Sequence, residues 1–212
     1  MTLTLGLLGG SPAATLDFLA RLQAATPARL NAHHIRVIAD INPQLPDLTT
    51  PGSGAGPALA EMAGALQGAG ADVLAIVSNS AHAHADLVQR AANLPLVDMI
   101  AAAAAAAKRS GARRVGVLGA RPALRLYHEH LAAGAMGMIA LEPERQAAFM
   151  ETFADLRRGL ADAAAGERIT AFAVELVEAG AQVIIAGGVE LPAVLRHAAI
   201  KAEIIDPADQ LA

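Results

Sequence analysis

The chain repeats itself at a fixed interval, and that interval limits its fold more than any other feature. Leu5-Gly6-Leu7-Leu8-Gly9, followed by Pro12-Ala13, returns 110 residues further on as Val115-Gly116-Val117-Leu118-Gly119, followed by Pro122-Ala123. Gly70-Ala71-Asp72-Val73-Leu74 returns at the same offset as Gly180-Ala181-Gln182-Val183-Ile184, and Val97-Asp98 is echoed by Ile205-Asp206 at an offset of 108. One glycine-bearing strand end recurs by chance in any α/β protein, but two separate segments at one offset specify a duplication. The 212 residues therefore read as two copies of a small lobe: residues 1–98 with the closing segment 206–212, and residues 99–205.

Within each copy, short β-branched or Leu-rich runs alternate with longer Ala-rich stretches, the pattern of βα units around a parallel sheet. The candidate strands are Leu3–Leu8, Ile35–Ile41, Val73–Val77, Pro95–Val97, Val115–Leu118, Gly137–Ala140, Val183–Ala186 and Ala202–Ile205. Ala13–Ala24, Ala58–Leu66 and Ile169–Ala179 read as amphipathic helices that cover the sheets. The expected class is α/β, with two pseudo-symmetric lobes, each a mostly parallel sheet flanked by helices.

Composition narrows the function. Hydrophobic residues make up 54% of the chain, enough for buried sheets, but only 2% is aromatic, so the cores must be filled with Ala, Leu, Ile and Val. The stacking platforms of single-stranded nucleic-acid binders are missing with the aromatics. A formal net charge of -4, with no basic cluster beyond the doublets Lys108-Arg109, Arg113-Arg114 and Arg157-Arg158, argues against a nucleic-acid or membrane partner. The Ala-rich run Met99–Ala107 falls short of the ~20 apolar residues of a membrane helix and is closed by Lys108-Arg109. No basic region precedes an apolar core at Met1-Thr2-Leu3-Thr4-Leu5, so a cytoplasmic location is expected. The chain has no cysteine, which excludes disulfides, thiolate metal sites and thiol nucleophiles together.

Ligands of parallel sheets bind beyond the carboxyl ends of the strands. Two facing lobes are expected to present matching strand-end loops to a shared cleft. These are Gly9-Gly10-Ser11 and Ser78-Asn79-Ser80-Ala81-His82 from the first, and Gly119-Ala120-Arg121 and Gly187-Gly188-Val189-Glu190 from the second. Each precedes a helix, so its backbone N–H groups favour an anion. For any one loop, Gly and Ser acting as turn and cap residues are explanation enough. For four symmetry-related loops a small-anion cleft is favoured.

Five segments carry a further signal: Leu5-Gly6-Leu7-Leu8-Gly9-Gly10 with Ser11-Pro12-Ala13-Ala14-Thr15, Asn42-Pro43-Gln44-Leu45-Pro46-Asp47, Ser78-Asn79-Ser80-Ala81-His82, Ile184-Ile185-Ala186-Gly187-Gly188-Val189-Glu190-Leu191, and Ile205-Asp206-Pro207. In this order, from Leu3 to Asp206, they resemble the motifs of the aspartate/glutamate racemase family. The resemblance implies two α/β lobes with the active site between them, a homodimer, and no cofactor, neither pyridoxal phosphate nor metal. It also implies a reaction in which one cysteine thiolate removes the α-proton of an amino acid and a second cysteine, on the opposite face, returns it.

That reaction needs two matched acid/base groups with pKa values near working pH. Their places in this chain are Ser78, where the family has Cys-Asn-Thr-Ala-His, and Gly188, where it has Gly-Cys-Thr-Glu. A serine hydroxyl without an activating base is too weak an acid to replace a thiolate, and glycine has no side chain. Two-cysteine racemisation is therefore expected to be lost. Returning a side chain to position 188 is expected to cost of order 1 kcal/mol through backbone angles that glycine alone accepts.

The resemblance assigns ligand binding to Ser11, Asn42, Gln44, Asn79, Ser80, Val189, Glu190 and Arg157. Val189 replaces a threonine that helps hold the α-carboxylate, Leu48 replaces an arginine for a side-chain carboxylate, and Arg157 stands for the family lysine. His82 and His84 are spaced so that on a helix they face different directions, as do His128 and His130, which argues against paired metal ligation. His82 is expected beside the site as a hydrogen-bonding neighbour. The Pro51–Gly56 stretch reads as a pliable loop, with a lid as the second reading. Three functions follow. The first is a family member that binds a small amino or carboxylic acid without racemising it. The second is an isomerase- or decarboxylase-like enzyme of enediolate chemistry using Ser78 with His82 or Glu190. The third is a non-catalytic dimerising partner.

Overall fold

The computed structural model describes residues 3–27, 30–50, 52–158 and 163–212. The chain divides into two compact units, Met1–Met99 with Ala208–Ala212, and Ile100–Pro207. The first holds β1 (Thr4–Gly9), α1 (Pro12–Ala25), β2 (Arg36–Ile41), α2 (Ala55–Gly68), β3 (Val73–Ile76), α3 (Ala85–Ala92) and β4 (Leu96–Val97). Then follow α4 (Met99–Arg109), β5 (Arg114–Gly119), α5 (Arg121–Ala133), β6 (Gly137–Ile139), α6 (Pro143–Arg157) and α7 (Ala163–Glu178). The chain ends with β7 (Val183–Gly187), α8 (Leu191–Leu195), β8 (Glu203–Ile205) and α9 (Pro207–Leu211). Each run read as a strand is one, with ends displaced by no more than one residue. Among the described residues no helix is long and apolar enough to cross a membrane.

Both sheets are wholly parallel and wound alike, in the orders β2-β1-β3-β4 and β6-β5-β7-β8. The register repeats with the sequence: Leu5 pairs with Val73, and Val115 with Val183. So does the staple at the amino end of each central strand. Asp72 Oδ2 accepts the Thr4 N–H at 2.8 Å, and Gln182 Oε1 accepts the Arg114 N–H at 3.0 Å. The backbone N–H groups of Asp72 and Gln182 donate in return to Thr4 O at 2.8 Å and Arg114 O at 2.9 Å. Asp and Gln are interchangeable here because each offers a side-chain oxygen acceptor.

The repeated glycines Gly6 and Gly116 have a packing reason. A Cβ at Gly6 would stand 2.8 Å from Ala71 Cβ, 2.8 Å from Leu74 Cδ2 and 3.3 Å from Leu66 Cβ. At Gly116 it would stand 3.0 Å from Ala181 Cβ, 3.2 Å from Leu176 Cβ and 3.3 Å from Ile184 Cγ1, the equivalent three positions. Only a residue without a side chain lets the ends of α2 and α7 lie this close to the central strands.

The second unit covers its sheet on both faces, as a parallel sheet requires. Along β7, Val183 and Ile185 join Ile100, Ala103 and Tyr127, while Ile184 and Ala186 join Phe149, Phe172 and Leu176 on the other face. In the first unit, Leu8, Leu74 and Ile76 pack with Leu59, Met62, Ala63 and Leu66 of α2. The few aromatics are concentrated rather than absent from the cores: Phe18, Tyr127, Phe149, Phe153 and Phe172 are all buried. The closing segment bonds to α1, where Arg21 Nη1 meets Asp209 Oδ1 at 2.6 Å.

The duplication is unequal at one place. Between β6 and α7 the second unit has α6, whereas among the described residues between β2 and α2 the first has no α-helix. The Pro51–Gly56 stretch, read as a pliable loop with a lid as the second reading, begins in that connection. Pro51 is outside the described residues, and Ala55 and Gly56 are buried in the first turn of α2, so that end of the stretch is packed helix.

Adding a methyl group to either central glycine must push a helix off its strand. Gly6→Ala is expected to destabilise by about 1–3 kcal/mol, and Gly116→Ala by less, since its nearest contacts are longer. Urea denaturation of both variants measures this order.

Candidate functional site

In each sheet the chain starts in the centre, moves to one edge, then crosses to the other side. Loops leaving the carboxyl ends of the two central strands diverge at that switch, which is where α/β sheets bind ligands. In the first unit the switch lies between β1 and β3, and in the second between β5 and β7.

Ser11 follows β1 as the N-cap of α1. Its Oγ accepts from the Ala14 N–H at 3.4 Å, and its carbonyl accepts from the Thr15 hydroxyl at 2.8 Å. Asn42, after β2, is tied to the same strand end by its N–H, which donates to Gly9 O at 2.8 Å. The Asn42 Oδ1 accepts from the Gln44 N–H at 3.0 Å, and the Gln44 side chain is exposed. Asp47 closes the loop by accepting from Thr49 and Thr50. Leu48 packs with Leu45 against the core of the first unit.

After β3 the chain forms a 3-10 turn, Ser80–His84. Ser78 and Ser80 are half-buried, and Asn79 is 4% exposed. The Ser78 Oγ accepts from the Ala81 N–H at 3.4 Å. His82 is also 4% exposed, and its ring is engaged on both sides by backbone. Its Nδ1 lies 2.8 Å from the Ser78 carbonyl oxygen, and its Nε2 lies 3.1 Å from the Met99 nitrogen. Because the Met99 N–H must donate, Nε2 carries the lone pair and Nδ1–H donates to Ser78 O. Asp98 Oδ1 lies 3.9 Å from Nε2, and in this tautomer that approach is not an ion pair. His82 thus meets Ser78 through its carbonyl, not its hydroxyl. A ring with both nitrogens committed to backbone cannot take the proton of the Ser78 hydroxyl.

The second unit has little polar side chain at its strand ends. Ala120, the N-cap of α5, has no side chain to cap with, and Arg121 is exposed. The Gln146 side chain from α6 donates through Nε2 to Gly119 O at 2.9 Å. Gly188 is buried, its N–H donates to Ala186 O at 2.9 Å, and its carbonyl accepts the Leu191 N–H at 3.0 Å. Val189 and Glu190 are half-buried, with Glu190 the N-cap of α8. Burial raises the Glu190 pKa above its ordinary value of 4.5, while a backbone hydrogen bond and the Arg157 charge oppose the rise. Arg157 is itself exposed, in the last turn of α6, so the second unit brings the expected cation and the expected acid within electrostatic reach of each other.

Gly188 avoids left-handed backbone angles. The expected reason for glycine there is therefore corrected, because its side of the loop is filled. A Cβ at Gly188 would collide with Phe153 Cζ, and would stand 2.9 Å from Phe153 Cε2 and 3.3 Å from Leu191 Cδ1. Phe153 was not among the residues read from the sequence as part of the site. The available signal was Phe149 and Phe153, one helical turn apart in a chain with four phenylalanines. Among the described residues no group of three or more His, Asp and Glu side chains could hold a metal ion.

With this geometry in place, the likenesses to known proteins are informative. Residues 7–212 match the family model described as Asp/Glu/hydantoin racemase. A candidate Asp/Glu racemase of Yersinia pestis is 23% identical, with a TM-score of 0.83 over 99% of this chain and 95% of that one. An aspartate racemase homologue of Pyrococcus horikoshii OT3 is 24% identical, with a TM-score of 0.77 over the same shares. Glutamate racemase of Francisella tularensis, solved in complex with D-glutamate, is 15% identical, with a TM-score of 0.73 over 99% of this chain and 78% of that one. At these identities the solved structures establish the shared fold.

Glu190 generates a pH test. An acid whose folded-state pKa is raised stabilises the fold below the unfolded value and loses that contribution as pH rises through the folded one. Glu190→Gln, which removes the buried charge, is expected to raise the melting temperature at pH 7. The gain should shrink to nothing below about pH 4.5. Thermal melts of both proteins across this range measure it.

Proposed function

The chain belongs to the Asp/Glu/hydantoin racemase family, and from that premise we propose that it binds a small amino or carboxylic acid but does not racemise it by the two-thiol route. The observation that carries this reading is the pairing of a cysteine-free chain with the polar loop Ser78-Asn79-Ser80 at the first unit's switch point. Ser78 and Gly188 stand at the positions of the family's acid/base residues without the chemistry for the task. Ser11, Asn42, Gln44, Asn79, Ser80, Val189, Glu190 and Arg157 are the proposed ligand-binding residues. Backbone N–H groups of the strand-end loops and the Arg157 guanidinium supply the attraction for a carboxylate.

Enediolate chemistry through Ser78 is the weaker reading, because the His82 ring is already bonded to Ser78 O and the Met99 N–H. A non-catalytic partner role agrees with the lost thiols equally well. A homodimer is part of the proposal, and a monomer by light scattering at working concentration would remove it.

Isothermal titration with a panel of amino and keto acids tests the binding. Heat is expected with at least one of them, and Arg157→Ala should weaken that ligand about tenfold, the worth of one charge-assisted hydrogen bond. Silence from the whole panel at millimolar concentration counts against binding. NMR in deuterated water tests the chemistry. The α-proton of the bound amino acid should not exchange, and rapid exchange would reveal a base other than a thiol and overturn the reading.

A further inference from the structure

Gly188 and Ser78 are equivalent positions of the duplicated unit, 110 residues apart, yet only one of them bears a side chain. One physical difference between their surroundings is α6, which has no equivalent among the described residues of the first unit. This helix presents Phe153, 5% exposed, to the backbone of Gly188. The ring is held from behind. Phe153 stacks on Phe149, with centroids 5.5 Å apart and planes at 12°, and Phe149 meets Phe172 edge-on at 5.7 Å and 89°. The Arg145 guanidinium covers the Phe172 ring at 4.6 Å. The loop is held as well, because Gly188 is bonded through its N–H to Ala186 O and through its carbonyl to the Leu191 N–H. Neither the ring nor the loop can yield without disturbing a packed aromatic row or two backbone hydrogen bonds.

We propose that Phe153 is an occluding residue: by seating its ring on Gly188 it bars any side chain, and so any acid or base, from the second unit's equivalent of position 78. Loss of a proton-transfer group there is then a property of a residue pair, Gly188 with Phe153, and no single replacement at 188 reverses it. Its functional meaning rests on the family reading above, but the occlusion itself does not.

The absence of cysteine makes the test clean, since a thiol introduced at 188 is the sole thiol in the molecule. Gly188→Cys, Phe153→Ala and the double variant are compared by thermal melting and by the rate of reaction with a soluble disulfide reagent. Gly188→Cys should melt several degrees below the parent and react at least tenfold more slowly than the double variant. The double variant should melt higher than the two single losses, added together, would allow. Gly188→Ala with and without Phe153→Leu repeats the melting comparison with a smaller intrusion, should the cysteine variant fail to fold. Additive losses, or a Gly188→Cys protein as stable and as reactive as the double variant, would overturn the proposal. Adding Ser78→Cys to the double variant and following α-proton exchange addresses the separate matter. A reactive thiol at 188 without exchange leaves the occlusion standing and counts against the ligand reading alone.

Discussion

The close approach of helix to strand at Gly6 and Gly116 is the contact on which the rest of each unit depends. In both sheets the central strand carries a glycine where Ala71 or Ala181, just after a covering helix, comes down on it. That approach lets Leu66 and Leu176 reach the sheet, and places the neighbouring strand in register beside the central one. The two central strands of each sheet therefore end side by side, and their loops must diverge. Ser11, Ser78, Gly188 and Glu190 all sit on those loops. A side chain at the glycine would not merely crowd the core, because it would move the helix that sets where the next strand begins.

What the loops can do chemically is set by how much of their hydrogen-bonding capacity local structure already consumes. Ser11 caps α1, Asn42 closes its own turn, and the Ser78 hydroxyl bonds to the Ala81 N–H. His82, expected beside the site as a hydrogen-bonding neighbour, is a bracket between the Ser78 carbonyl and the Met99 N–H. A buried imidazole that satisfies two backbone groups contributes order to the loop, and the cost of leaving those groups unpaired opposes any other use. The first unit thus keeps a polar, well-braced loop with no strong acid or base in it.

The second unit differs at the equivalent loop. There Gly188 stands in place of Ser78, and α6, which has no equivalent among the described residues of the first unit, packs on it. That helix places Phe153 on Gly188 and brings Arg157 within reach of Glu190. The duplicated frame is symmetric because it is built from strands, registers and glycines that repeat. The sites are asymmetric because one added helix changes what lies over one loop.

The repeat, the strands, the parallel winding and the family were all legible in the sequence, because each rests on local spacing: glycines at one offset, β-branched runs of strand length, and short collinear motifs. That Ser78 and Gly188 are equivalent positions of the repeat could be read the same way, and the absence of cysteine needs no structure at all. What local spacing cannot express is which groups meet across the fold. The role of His82 depends on Met99, 17 residues away, and the reason for Gly188 lies at Phe153, on a helix that precedes it by 35 residues. Sequence pattern suggested backbone freedom for that glycine and a hydrogen-bonding place beside the site for that histidine. Tertiary packing decided otherwise for the glycine, and chose the partners of the histidine. A ring takes up volume and a backbone N–H claims a lone pair only once the chain has brought them within contact distance.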